Sequence, residues 1–375
     1  MSGMWGNNIR ISIFGESHGN AIGINIDGLP SGLHIDMDKV MVEMARRAPG
    51  KSPLSTPRKE GDVPEILSGY FEGKTTGTPL CAIIRNSNTK SKDYSKLKDI
   101  MRPGHADYTG YLKYDGFNDY RGGGHFSGRI TAPLVFAGAI CKQILESKGI
   151  SIAAHVNSIG SIKDKSFLDV DINEELISSF KGKELPLINP KLEEDMRQEV
   201  MNARKDMDSI GGTIECAVLG IKPGVGNPFF DSVESTLAHL MFSVPAVKGI
   251  EFGKGFDISK MRGSEANDEY YLDGKTIKTK TNNNGGILGG ITNGMPIIFN
   301  VAIKPTASIF KEQSTVNIAT MEETKLSIEG RHDPCIVQRA LPVIEAVTAI
   351  GILELMRHNP NIGFTSGEHT NIGLY

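Results

Sequence analysis

The stretch Gly330–Arg357, GRHDPCIVQRALPVIEAVTAIGILELMR, is the longest helical pattern in the chain. Asp333 stands where a cap belongs and Pro334 where the first helical residue belongs, so the pattern predicts a helix from Pro334 to about Arg357. Leu341, Ile344, Val347 and Ile352 make much of it apolar, with Glu345, Thr348 and small residues mixed in. A helix apolar on so much of its circumference is covered on more than one side and belongs at the centre of the fold. Three further helices are expected around it. Asp36 caps one whose apolar face is Met37, Val40, Met41 and Met44, with Arg46 and Arg47 in its last turn. Thr131 is placed as N-cap of a second, with Leu134, Ala137, Cys141, Ile144 and Leu145 on one face, and Val233–Phe242 reads as the third. Between them lie strand-like runs at Ile9–Phe14, Ile22–Ile26, Leu80–Ile84, Ile150–Ile159, Thr213–Leu219 and Ile297–Ile303. Neighbouring runs look like hairpins and no clean βαβ rhythm emerges, so the class is α+β rather than a doubly wound sheet.

The totals exclude several functions. At 375 residues with a formal net charge of -3, the chain carries no overall bias toward nucleic acid or an anionic membrane. No apolar run is long enough to span a bilayer, and the N-terminus lacks the pattern of a signal peptide. Cys81, Cys141, Cys216 and Cys335 are widely spaced, form no CxxC pair and read as buried thiols in a reducing compartment. A cytoplasmic protein is expected. There is no GxGxxG, no GxxxxGK[ST], no HExxH and no metal-ligand spacing, so no metal site is expected.

Chemistry concentrates in Met101–Arg129, MRPGHADYTGYLKYDGFNDYRGGGHFSGR, a run with no apolar periodicity that reads as a functional loop. Arg102, Arg121 and Arg129 can grip an anion, His105 and His125 can move a proton, and Gly122–Gly124 let backbone approach a ligand closely. Its recurring aromatics, from Tyr108 to Tyr120, are read as anchors of the loop to the core. Ser17 and His18 sit in a second glycine-flanked turn, Gly15–Gly19, at a strand end or hairpin. Arg46, Arg47, Arg102, Arg129, Arg331 and Arg339 form an anion-binding set. Arg339 lies inside the expected long helix, where burial is costly without a fixed carboxylate or phosphate nearby. On these residues alone, an enzyme acting on a polyanionic small molecule is favoured over a protein that only binds one.

Four blocks carry a resemblance: GESHG at Gly15–Gly19, RPGHAD at Arg102–Asp107, DYRGGG at Asp119–Gly124 and RHDPC at Arg331–Cys335. Asp208–Gly212, Gly285–Gly290 and Lys304–Thr306 support them. In this order and over nearly the whole length, they resemble the chorismate synthases. The resemblance implies a β-α-β sandwich with a helical layer between antiparallel sheets. It implies one domain over 1–375, with mobile loops near 46–60, 86–129, 281–290 and 304–330 and a flexible C-terminal tail. It also implies a homotetramer and a 1,4-anti elimination of phosphate from 5-enolpyruvylshikimate 3-phosphate, giving chorismate and requiring reduced FMN. The alternative is a non-catalytic flavin- or phosphometabolite-binding protein of the same fold.

By the same resemblance His18, His105 and Asp333 are the catalytic residues. Ser17, Arg46, Arg47, Arg129 and Arg339 are expected around the substrate. His125, Phe126, Ser127, Pro245, Ala246, Gly289, Lys304, Pro305, Thr306, Ala307, Ser308 and Arg331 are expected at the flavin. Two features depart from the family. His125-Phe126 follows the triple glycine where Arg-Ser is common, and Ala48 and Pro53 stand where many relatives carry arginines. Some members of the family reduce flavin with NADPH. This chain, without a dinucleotide fingerprint, is expected to take reduced flavin from an external reductase or another source.

Overall fold

The computed structural model describes residues 3–50, 61–86, 98–328 and 332–357. The expected tail after Arg357, Arg331 and most of the Pro-rich arm after Gly50 lie outside the described residues. Two five-stranded antiparallel sheets face each other across a layer of helices. The first contains β1 (Met4–Trp5), β2 (Arg10–Gly15), β3 (Ala21–Asp27), β4 (Pro64–Ser68) and β5 (Leu80–Arg85), in the order β1-β2-β3-β5-β4. Ile22, Ile24 and Ile26 of β3 pair with Ile84, Ala82 and Leu80 of β5, and all six are buried. This is the two-residue period of a sheet with one face on the core. The second contains β6 (Ser151–Ile159), β7 (Ile162–Lys163), β8 (Gly212–Leu219), β9 (Val247–Phe252) and β10 (Ile297–Ile303), in the order β9-β10-β8-β6-β7. Val156, Ile214 and Val301 lie side by side across it, buried.

Four helices matter for the layer: α1 (Met37–Arg47), α2 (Thr131–Glu146), α3 (Val233–Ser243) and α4 (Val337–Arg357). α2 packs on β3 and β5, and α4 on β6 and β8. The two helices meet where Gly138 faces Ala346, so closely that a Cβ on Gly138 would overlap it. All residues of α4 but Arg339, Ala340 and Arg357 are buried, as its composition requires.

Two helix starts differ from expectation. α4 begins at Val337, not Pro334. The carbonyl of Pro334 accepts the amide of Ile210 (2.8 Å), and Ile336 supplies the first helical acceptor, to Arg339 and Ala340. Asp333 is therefore not a helix cap but part of a turn ahead of the helix. Thr131 is already helical, and its hydroxyl donates back to the carbonyl of Gly128 (2.6 Å).

Glu345 lies inside α4 and is buried. Arg46 donates to both its oxygens (2.6 and 2.9 Å), Lys142 of α2 pairs with it, and Glu43 takes the other side of Arg46 (2.8 Å) and of Lys142 (3.1 Å). Burial alone would raise the Glu345 carboxyl, but the two cations hold it well below its usual range. The network ties α1, α2 and α4 together.

Candidate active site

The site is built on one turn. Gly122, Gly123 and Gly124 have φ of 59°, 84° and 53°, the left-handed region that favours glycine. A Cβ on Gly122 would overlap the His18 ring and lie 2.8 Å from Ser17 Oγ. A Cβ on Gly123 would lie 2.9 Å from His105 Cε1 and 3.0 Å from Nε2. Two histidines far apart in sequence thus meet successive residues of the same turn. Ser17 and His18 sit in the β2–β3 hairpin, whose Ser17 amide donates to the Gly124 carbonyl (3.1 Å). Ser17 Oγ lies 3.2 Å from the carbonyls of Arg121 and Gly122 and 3.0 Å from His18 Nδ1. A hydroxyl has one proton; given to a carbonyl, it leaves the oxygen to accept from Nδ1–H and orient the ring.

On one side of the turn are arginines. Asp62, buried and at φ 46°, accepts Arg47 Nη1 (2.6 Å) on one oxygen and Arg129 Nη1 on the other. Arg47 also donates to Thr131 Oγ1 (3.2 Å) and the Gly128 carbonyl (3.1 Å). Arg339 Nη1 donates to Asp333 (2.5 Å), and its Nε to the Arg47 carbonyl (3.4 Å). Burial, aided by the like charges of Arg339 and Arg129, outweighs Asp62 and pushes Arg47 down to about 10. Asn86 joins this cluster to the hairpin: its amide nitrogen donates to the carbonyls of Glu16 (3.0 Å) and Gly19 (2.9 Å), and its oxygen accepts Arg129 Nε (3.1 Å).

On the other side lies a cleft of about 280 Å³ lined by Pro103, Gly104, Ser209 and the segment Lys304–Ala307. Lys304 Nζ donates to the Gly104 carbonyl, and its amide donates to the Ala246 carbonyl (2.9 Å), which brings Pro245-Ala246 beside it. Burial and the neighbouring Lys248 ammonium lower Lys304. Thr306 Oγ1 is buried with no hydrogen-bond partner among the described residues. An unsatisfied hydroxyl and the Lys304 ammonium suit a polar anionic ligand, the Asp208 carboxylate in the lining being paired with Lys311 (2.8 Å). Ser308 meets Arg102 Nη1 (3.3 Å), which links the cleft to His105.

The geometry can therefore hold anions on both flanks of two proton carriers. The sequence pattern that defines chorismate synthases matches residues 9–356. The chain belongs to the chorismate synthase family. A chorismate synthase of Methanocaldococcus jannaschii is 48% identical over 364 residues, covering 94% of this chain and 95% of the relative. One of Dehalococcoides mccartyi is 45% identical, covering 95% and 96%. A crystal structure of chorismate synthase superposes with a TM-score of 0.73 at 30% identity, over 94% of this chain and 93% of the other. The family's fold is the sandwich expected above.

Not every expected residue joins the site. Arg46 is spent on Glu345 and Glu43, because a buried carboxylate inside α4 needs compensation, and it stands apart from Arg47, Arg129 and Arg339. Arg102 and Arg121 are likewise committed, to Asp107 and Asp119. Gly289 is exposed in the turn between Ile287–Leu288 and Ile291–Thr292. Its neighbours Gly285 and Gly286 pack at the Ile298 end of β10, whereas Lys304 follows the other end, about 20 Å away along a seven-residue strand. His125 Nδ1 donates to the Gly15 carbonyl (2.9 Å), and Phe126 fills the space over Gly110 and lies 6.2 Å from the Tyr114 ring, so both fasten the turn to its neighbours. Ser127 Oγ accepts the Arg129 amide (3.3 Å). Met101–Arg129 is less of a loop than expected: it forms a helix at Asp107–Lys113 and tight turns at Arg121–Phe126 and Gly128–Ile130. Tyr108, Tyr111, Tyr114 and Phe117 are exposed rather than anchored in the core. Asp62, Asn86 and Asp107 were not singled out in the sequence as site residues. Only Asp107 had a local signal, five residues after Arg102 and two after His105 in the same motif.

Proposed function

We propose that the chain converts 5-enolpyruvylshikimate 3-phosphate to chorismate and phosphate, as a carbon–oxygen lyase of its family, with reduced FMN in the cleft beside Lys304. The observation that carries this reading is the triple-glycine turn, which lies against His18 on the arginine side and His105 on the cleft side. The substrate bears a phosphate and two carboxylates. Arg47, Arg129 and Arg339 bind these groups, and Asp62 and Asp333 hold the guanidiniums in place for them. Ser17 orients His18, which donates a proton to the departing phosphate. Asp333 is the base that finally takes up the proton derived from C6, after the cofactor has accepted that hydrogen. Lys304, with Lys248 near it, holds the flavin phosphate, and Thr306 Oγ1 and Ser308 offer hydroxyls to the same ligand. Pro245, Ala246, Pro305 and Ala307 shape the walls, Ser127 and the His125–Phe126 pair support the turn, and His105 faces the ring edge. Reduced FMN held there would supply an electron for phosphate departure and take it back together with the C6 hydrogen, so the elimination would have no net redox change.

Cytoplasmic location, a homotetramer and flavin reduced by another protein complete the proposal. In its support, no helix among the described residues is long and apolar enough to cross a membrane. The test is an anaerobic assay with reduced FMN and substrate, in which phosphate and chorismate form together; no product at saturating ligands overturns the reading. Repeating it with oxidised FMN, with and without NADPH, reads out any built-in reductase. His18→Ala, His105→Ala and Asp333→Ala are each expected to slow turnover by at least about 100-fold while FMN still binds.

A further inference from the structure

We infer that Asp107 is a positioning residue that fixes the tautomer of His105, and that Arg102 exists in this site to hold Asp107. The inference rests on the reading of His105 as a proton carrier beside the cofactor. His105 Nδ1 has two neighbours: Asp107 Oδ1 at 2.6 Å and Arg102 Nη2 at 3.1 Å. A guanidinium only donates and an ionised carboxylate only accepts, so one ring nitrogen cannot satisfy both. The shorter, charge-assisted contact decides: Nδ1 carries its proton toward Asp107. Nε2 is then the atom left to gain or lose a proton, and it faces Gly123, where the absent side chain leaves it open.

Asp107 is well anchored for this work. Arg102 reaches it with its backbone amide (3.1 Å), Nε (2.6 Å) and Nη2 (2.7 Å), and both side chains are buried. Burial alone would raise the Asp107 carboxyl; the hydrogen bonds from Arg102 and His105 outweigh it and hold the group far below its usual range. The arrangement makes a sharp forecast. With Asp107 gone, Arg102 is the remaining neighbour of Nδ1, and as a donor it imposes the opposite tautomer.

The experiment is nitrogen NMR on ligand-free protein carrying labelled histidine, with the His105 signals assigned by their loss in His105→Gln. In the wild type Nδ1 is expected to be protonated. In Asp107→Ala the proton moves to Nε2, and kcat falls about 100-fold with KM for the substrate little changed. Asp107→Glu is expected to restore the wild-type tautomer and part of kcat. If Asp107→Ala does not fold, the near-isosteric Asp107→Leu, which likewise cannot accept from Nδ1–H, gives the same reading, with the Nδ1–H signal replaced by Nε2–H. An unchanged Nδ1–H signal in a folded variant overturns the inference. A shifted tautomer with unchanged turnover upholds the role of Asp107 and instead removes His105 from the reaction, which separates the two failures.

Discussion

Arg46 and Arg47 are neighbours in one helical turn, yet they belong to two different kinds of charge cluster. Around Arg46, two cations (Arg46, Lys142) face two carboxylates (Glu43, Glu345). Around Arg47, the described residues put three guanidiniums (Arg47, Arg129, Arg339) against two carboxylates (Asp62, Asp333). The first is balanced within the protein and holds helices together. The second lies beside two histidines, and in the reading proposed above its guanidiniums face the substrate's anionic groups.

This contrast can be broken most forcefully at Glu345. Glu345→Gln leaves Arg46 and Lys142 opposed by Glu43 alone and is expected to cost about 3–5 kcal/mol, read as the urea midpoint, with KM unchanged in the protein that remains folded. A KM that rises with it would merge the two clusters into one. Next in size, Gly122→Ala is expected to lower kcat by about 100-fold, because the methyl takes the place of the His18 ring. Thermal melting and circular dichroism of that variant check that the loss is local. Third, Arg47→Lys should weaken substrate binding by about 1.5–3 kcal/mol through lost charge-assisted hydrogen bonds. Arg46→Lys should alter stability and leave binding as it was; comparing KM for the two tests the division directly. The smallest effect concerns pH. Glu345 is depressed in the fold, so its contribution is present above its ordinary value of 4.5 and is lost as pH falls through the lower folded value. Denaturation midpoints across acidic pH should therefore fall more steeply for the wild type than for Glu345→Gln.

Much of the framework was legible in the residues. The strand runs and the four helices were found within one or two residues at most ends, because alternation and 3.6-residue periodicity report burial directly. The start of α4 was not legible, since Asp333-Pro334 has good local capping chemistry and is overruled by Ile210, which is remote in sequence. The triple glycine announced a close approach but not what approaches. Asp62, Asn86 and Glu345 act through partners from 15 to 299 residues away, and no local pattern marks such pairings. One signal was available and unused: Arg47 follows Val40 and Met44 at helical spacing on the buried face of α1, which distinguishes it from Arg46.

Asn86 has a consequence for how the site keeps its alignment. Both ends of its amide are engaged, nitrogen toward the hairpin of His18 and oxygen toward Arg129. The link is polar in one direction only: an aspartate there could not donate to the hairpin, and a leucine would hold neither side. The hairpin that carries His18 and the Arg129 guanidinium therefore share this tether, and drift in one is felt in the other.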